Sequence, residues 1–115
     1  MNTKNFEKMV LIDLDGVLNQ YDGKFDKNFI PSIQKDAKEF IEKISQDFEL
    51  KLFTTRGKII AQKWLKENNL GKYFSKVTNR KEPCTFLIDD RCIQFKGSFE
   101  KLEKDIRHFS VWWKN

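Results

Sequence analysis

The chain has 115 residues, of which 34% are charged and 14% aromatic, and it carries a formal net charge of +5 at pH 7. This composition predicts one globular domain over 1–115 and excludes a disordered chain. No apolar run approaches the roughly 20 residues that cross a bilayer, and the polar start lacks the apolar segment of a signal peptide, so we expect a cytoplasmic protein with no membrane partner.

The first predicted element is a buried strand within 10–18, an apolar run that carries Asp13 and Asp15 and continues into Gly16. Such a run fits a parallel strand covered on both faces. Side chains alternate along a strand, so the two carboxylates share one side if the strand continues through both. Unpaired carboxylates there repel each other, which indicates that a cation, a proton or a reaction requires them. The alternative is an exposed turn, since Asp-Gly is common in turns.

A loop follows at 16–29, and Asp22-Gly23 between two aromatic residues predicts a hairpin turn at 21–25. Pro31 predicts the start of a helix, because its missing N–H does no harm in the first turn. The apolar residues that support this helix recur at helical spacing: Ile30, Ile33, Ala37, Phe40, Ile41 and Ile44.

The second half of the chain alternates again between strand and helix patterns. Strands are predicted at 48–54, 77–78, 85–89 and 92–95, with a helix ending near 69–71 and a last helix over 99–109. This alternation predicts an α/β fold with a mostly parallel sheet. Ligands bind such sheets at the carboxyl ends of the strands.

Polar residues fall at the predicted carboxyl ends of four strands. Carboxylates without a histidine cluster favour a hard ion such as Mg²⁺, and a hydroxyl and an ammonium beside that ion suit a phosphate group. The clusters are Asp13 with Asp15, Thr54 with Thr55 and Arg56, the region of Lys81, and Asp89 with Asp90.

The motifs at these positions resemble those of the haloacid dehalogenase (HAD) superfamily, most of whose members are Mg²⁺-dependent phosphohydrolases. The segment Asp13-Leu14-Asp15-Gly16-Val17-Leu18 resembles its first motif, DxDG(T/V)L, and Leu52-Phe53-Thr54 resembles its second. Lys81 fits the third, and Leu87-Ile88-Asp89-Asp90 resembles the fourth, an apolar strand that ends in paired acids. The resemblance covers about 9–95 and implies a Rossmann-like three-layer sandwich.

The resemblance also implies a role for each matching carboxylate. Asp13 would be the nucleophile that forms an aspartyl-phosphate, and Asp15 the general acid and base, with its backbone carbonyl on the metal. Asp13 and Asp89 would also bind Mg²⁺, and Asp90 would be either a further ligand or the residue that holds a metal-bound water.

The expected phosphate-binding residues are Thr54 and Lys81, and each of these two assignments has an alternative. Thr55 replaces Thr54 if the strand ends one residue later, and Lys76 is the alternative to Lys81. Arg56 is predicted to be a further phosphate contact, with a surface salt bridge as the alternative.

The insertion points that hold a cap domain in many superfamily members are short here, so the resemblance implies a small capless phosphatase. An open site suits a small phosphorylated molecule or a macromolecule, and nucleic acid stays open as a partner without a specific motif for it. A capless domain is also compatible with an oligomer. Trp112 and Trp113 are expected to pack on the core or at an oligomer interface, with stacking on a base as the alternative.

Two other functions compete with the phosphatase. A receiver-like phospho-acceptor domain has similar length and residue types, but its phosphorylated Asp ends a middle strand and it has no DxDG motif. The third hypothesis is a non-catalytic relative that binds anions or nucleic acid. Reduced, packed thiols are expected at Cys84 and Cys92, and a surface position at His108.

Overall fold

The computed structural model describes residues 8–114 and contains one four-stranded parallel sheet in the order β3-β2-β1-β4. This is an α/β fold of the Rossmann-like sandwich type, as predicted, and no cap domain is inserted within the described residues. The strands are β1 (Met9–Asp13), β2 (Glu49–Phe53), β3 (Phe74–Thr78) and β4 (Phe86–Ile88). The helices are α1 (Ala37–Ile44), α2 (Lys58–Glu67) and α3 (Phe99–His108), with a short 3₁₀ turn at Gly71–Tyr73.

The hydrophobic core lies between one face of the sheet and the helices α1 and α2. Val10 and Ile12 of β1 point to this face and pack in one cluster with Ile41 of α1 and Trp64 of α2. Right-handed crossovers from β1 to β2 and from β2 to β3 run in the same direction, which places both helices on one face.

The opposite face is crossed by the connection from β3 to β4. Lys51 alternates with the core residues of β2 and therefore points to this face, where its Nζ lies 2.6 Å from Glu82 Oε1. Lys76 of β3 reaches the other oxygen of Glu82 at 2.7 Å. Segment 79–85 thus runs over the sheet and delivers β4 beside β1, and the carboxyl ends of all four strands meet at one edge.

The first helix begins six residues later than predicted, at Ala37 instead of Pro31. Segment 31–36 pairs with the loop after β1: Gln20 N donates to Ser32 O and Gln34 N donates to Leu18 O. Asp36 then adopts a left-handed conformation with φ 69° directly before the helix. Pairing with a distant loop overrides the helical spacing that begins at Ile30.

Three further predictions differ from the structure. No strand forms at 92–95 or in a hairpin at 21–25 within the described residues; the tight turn lies instead between Asp26 and Phe29. Both cysteines are free, but Cys92 is exposed instead of packed. His108 is exposed on α3, as predicted. None of the helices within 8–114 has the length and apolar character needed to cross a membrane.

Candidate functional site

A cavity of about 480 Å³ opens at the edge of the sheet where β1, β2 and β4 end. Parallel strands bring their carboxyl ends together, so residues far apart in sequence meet there. The lining residues include most of the predicted site: Asp13, Asp15, Tyr21, Phe25, Phe53, Thr54, Thr55, Asp89, Asp90 and Arg91.

Three carboxylates form a compact acidic cluster in this cavity. Asp13 is the last residue of β1, and Asp89 and Asp90 directly follow β4, the strand paired with β1. One oxygen from each of the three lies within 4.8 Å of the others. Hard divalent cations bind carboxylate oxygens, so this cluster offers a set of ligands suited to such an ion.

Asp13 is the carboxylate that the surroundings perturb most. Burial, a hydrogen bond with Asp90 and the charges of Asp89 and Asp90 raise its pKa from an ordinary value near 3.8 to about 8. Desolvation is the largest of these causes, because the end of β1 is partly covered. In the absence of a cation, Asp13 therefore tends to keep a proton.

Asp15 lies apart from the acidic cluster and is held by Arg56. Arg56 Nε donates to Asp15 Oδ2 at 2.8 Å, and Nη2 donates to Oδ1 at 3.0 Å. Asn19 Nδ2 donates a third bond to Asp15 Oδ1 at 3.0 Å. This bidentate pair fixes the orientation of the carboxylate. The Asp15 side chain is outside the group of three that could share a metal, and the expected contact through its backbone carbonyl stays a prediction.

Arg56 forms an ion pair, as its alternative predicted, but the pair is buried instead of lying at the surface, and its contact with a phosphate stays a prediction. Its side chain is 1% exposed, and its Nη1 donates to the carbonyl of Asp26 at 2.9 Å. The Phe25 ring lies 4.6 Å from its guanidinium carbon. With three nitrogens engaged by the protein, Arg56 ties Asp15 to the loop over the cavity and acts as a positioning residue.

Both threonines after β2 line the cavity, but they differ in exposure. Thr54 is buried, and its Oγ1 accepts a hydrogen bond from Arg56 N at 3.1 Å. Its N–H donates to Thr78 O at 2.9 Å and continues the β2–β3 ladder. Thr55 is exposed. Thr54 is thus the buried hydroxyl of the pair, and Thr55 is the exposed one.

The two candidate lysines lie in different surroundings. Lys76 is paired with Glu82 at 2.7 Å on the face of the sheet. Lys81 is exposed. Its charge lowers the pKa of the Cys92 thiol, whereas the charges of Asp89 and Asp13 raise it. Burial is the main cause that raises the pKa of Cys92, and Lys81 opposes it. Lys81 is therefore the lysine that shares the electrostatic surroundings of the acidic cluster.

Gly16 allows the loop after β1 to pass close to the acidic cluster. Its φ is +83°, a conformation that favours glycine, as expected for the tight turn. A Cβ at this position would overlap the Asp90 carboxylate and would lie 2.7 Å from Trp113 Nε1. The backbone of this loop thus packs directly on a candidate metal ligand.

Trp112 and Trp113 form hydrogen bonds with the acidic cluster and with the loop after β1. Trp113 Nε1 donates to Asp90 Oδ2 at 2.6 Å, and Trp112 Nε1 donates to the carbonyl of Gly16 at 2.8 Å. The Trp113 ring makes an edge contact with Tyr21 at 5.3 Å between centroids, and the guanidinium of Arg91 lies 5.7 Å from its ring. These contacts connect 112–113 to Asp90 of the acidic cluster and to the loop after β1.

Sequence reasoning missed the partners of the predicted carboxylates. Asn19 is fully buried; it accepts from Gly16 N at 3.2 Å and donates to Asp15. Its only sequence signal was a polar residue four positions after Asp15 in an apolar stretch. The pairing of Trp113 with Asp90 gave no sequence signal, because the two residues are 23 positions apart in the chain.

Comparison with known proteins supports the fold alone. No family model matches the chain, and no curated protein matches it. A solved structure described as "Structure of the conserved protein coded by locus from Bacteroides thetaiotaomicron" is similar, with a TM-score of 0.60 and 18% identity. The match covers 88% of this chain and 90% of that chain.

Proposed function

We propose that the protein is a Mg²⁺-dependent phosphatase that hydrolyses a phosphate monoester through an aspartyl-phosphate on Asp13. The observation that carries this proposal is the convergence of Asp13, Asp89 and Asp90, with oxygens within 4.8 Å of one another, in a cavity that Thr54 also lines. The four motifs that resemble the HAD superfamily support the same assignment.

The chemistry of the acidic cluster fits Mg²⁺. All three donors are carboxylate oxygens, and partial burial makes their mutual repulsion unfavourable without a cation. Asp13, Asp89 and Asp90 would hold the ion. When bound, Mg²⁺ would offset the negative charges of the carboxylates and of the phosphate group.

Asp13 and Asp15 have different roles in the two steps of the reaction. A carboxylate oxygen of Asp13 attacks phosphorus, and the bond from phosphorus to the ester oxygen breaks. Asp15 gives a proton to the departing alcohol oxygen, then takes a proton from the water that attacks the aspartyl-phosphate. The products are an alcohol and inorganic phosphate, and Asp13 is regenerated.

The contacts of Asp15 set a condition on this role. Arg56 donates to both of its oxygens, so Asp15 accepts hydrogen bonds in the free protein. To carry the proton for the alcohol, one oxygen must turn from Arg56 toward the substrate. Thr54 would donate its hydroxyl to a phosphate oxygen, and Lys81 would balance charge on the phosphate and Asp13.

Hydrolysis of para-nitrophenyl phosphate tests the proposal directly. We expect turnover by the wild type that requires added Mg²⁺ and is lost in Asp13→Asn. Asp47→Asn is a matched control, because Asp47 is exposed outside the cavity, and it should keep full activity.

Two results would contradict the proposal and favour the competing functions. A stable phosphoryl group on Asp13 without turnover, detected by intact-protein mass after acetyl phosphate treatment, would favour a receiver-like phospho-acceptor. No metal-dependent hydrolysis across a broad panel of phosphate monoesters would favour a non-catalytic anion-binding protein.

A further inference from the structure

A second cavity, of about 520 Å³, lies beside the cavity that Asp13, Asp89 and Asp90 line, which is the reaction cavity of the proposed function. It is formed where β2 and β3 end, where α2 begins, and where the chain leaves toward Glu82. Thr54 and Thr55 line both cavities, so the two spaces meet across these residues. A molecule with one group at Asp13 would reach the second cavity over the two threonines.

The second cavity is cationic. Its lining includes four cations (Arg56, Lys58, Lys76 and Arg80) and one carboxylate, Glu82, which leaves a net charge of +3. Two of the four cations are already engaged in ion pairs, Arg56 with Asp15 and Lys76 with Glu82.

The other two cations are available to a ligand. Lys58 and Arg80 are exposed, and neither side chain takes part in an ion pair within residues 8–114. Lys58 is also the first residue of α2, and that ten-residue helix has neither a side-chain cap nor an acidic residue in its first turn. Its free N–H groups add a partial positive charge to the cavity wall.

The reaction cavity has the opposite charge. Four carboxylates and a single cation, Arg91, line it. The paired cavities therefore present a site for a metal and a phosphoryl group on one side of Thr54–Thr55 and an anion site on the other. A substrate that matches this pattern carries one phosphate to be cleaved and a second anionic group that stays on the alcohol.

We propose that the second cavity binds a second phosphate group of the substrate, and that the substrate is a small bisphosphorylated molecule; this inference rests on the proposed phosphatase function. A phosphate suits the site because its several oxygens accept bonds from Arg80, Lys58 and the amides of α2 together. A small molecule suits it because Lys58 and Arg80 line the same cavity, and the sequence has no basic tract that would follow a nucleic-acid backbone.

Binding can be tested without turnover by titration calorimetry on Asp13→Asn in the presence of Mg²⁺. The probes are adenosine 3′,5′-bisphosphate, adenosine 5′-monophosphate and a 5′-phosphorylated oligonucleotide. Each is titrated into Asp13→Asn alone and combined with Lys58→Ala, Arg80→Ala or Lys63→Ala. Lys63→Ala is the matched control, since Lys63 is an exposed lysine of the same helix outside the second cavity.

We expect the bisphosphate to bind at least tenfold more tightly than the monophosphate, and Lys58→Ala and Arg80→Ala each to weaken it by about tenfold, the size of a charge-assisted contact. The affinity for the monophosphate should change by less than twofold in Lys58→Ala and Arg80→Ala. Lys63→Ala should change the affinity for the bisphosphate by less than twofold. Equal affinity for both nucleotides, or equal loss for both in the two variants, would overturn the second-phosphate site. Tighter binding of the oligonucleotide, sensitive to the same variants, would overturn the small-molecule assignment.

This experiment separates the inference from the proposed function. A protein that hydrolyses monophosphates but shows no preference for the bisphosphate keeps the phosphatase and loses the second site. A protein that binds the bisphosphate through Lys58 and Arg80 but hydrolyses nothing keeps an anion site and loses the proposed function, and with it the substrate assignment.

Discussion

Replacement of Asp13 by Asn should stabilise the metal-free protein, and the gain should grow with pH. One carboxylate oxygen of Asp13 lies within 4.8 Å of an oxygen of Asp89 and of an oxygen of Asp90. Two ionised carboxylates at that spacing repel by about 3 kcal/mol at an effective dielectric constant of 20. An Asn has the shape of protonated Asp and donates its N–H to Asp90 in place of the shared proton.

The sign of the pH dependence follows from the direction of the shift. The pKa of Asp13 is raised to about 8 in the folded protein, so between its ordinary value and pH 8 the folded state holds a proton that the unfolded chain has lost. Stability of the wild type therefore falls as pH rises through this window, and Asp13→Asn does not share that fall. The limiting change from pH 5 to pH 8 is about 4 kcal/mol. Partial exposure of the group reduces it to about 1–3 kcal/mol.

Urea unfolding in the presence of a chelator measures this difference. We expect Asp13→Asn to exceed the wild type in free energy of unfolding at pH 8 by about 1–3 kcal/mol more than at pH 5. Asp47→Asn, at an exposed carboxylate, should show no such pH dependence. Added Mg²⁺ should stabilise the wild type and reduce the advantage of the variant. An advantage that is absent, or the same at both pH values, would refute the crowding of the three carboxylates.

Three further predictions concern the neighbours of the acidic cluster. Trp113→Phe keeps an aromatic ring but removes the indole N–H that bonds to Asp90, so Mg²⁺ affinity measured by calorimetry should fall about tenfold, whereas Trp112→Phe should change it little; equal effects would count against a specific role of Trp113. Asp15→Asn should lower kcat/KM for an alkyl phosphate by about 10²–10⁴-fold and for para-nitrophenyl phosphate much less, because nitrophenolate leaves without a proton and kcat/KM does not include the later hydrolysis of the aspartyl-phosphate; an equal loss in kcat/KM for both esters would contradict the general-acid role. Glu82→Gln should lower stability at pH 7. Hydrogen bonds from two lysines hold the pKa of Glu82 near 2, and their contribution is present above its ordinary value near 4.5 and is lost as pH falls toward 2. Urea midpoints of wild type and variant should therefore converge from pH 7 to pH 3, and a constant gap would argue against this ion pair.

The fold class and the residues that reach the edge of the sheet follow from local patterns in the sequence. Apolar runs that end in Asp13 and in Asp89-Asp90 are local patterns, and parallel strands necessarily bring their carboxyl ends to one edge. For this reason the acidic cluster could be predicted before any coordinates. The late start of α1 could not, because pairing of 31–36 with the loop after β1 outweighs helical spacing.

The contacts that each of those residues makes depend on how distant elements pack together. The partnership of Arg56 with Asp15 spans 41 positions, and that of Trp113 with Asp90 spans 23. The cationic cavity likewise unites Lys58 with Arg80 from two different connections. Periodicity reports which face a residue takes within its own element, whereas hydrogen bonds and charge clusters depend on how separate elements are placed in space. The sequence around Arg56 is compatible with a buried pair to a carboxylate and with a contact at the surface. The packing of the loop after β1 places Arg56 in a buried pair with Asp15.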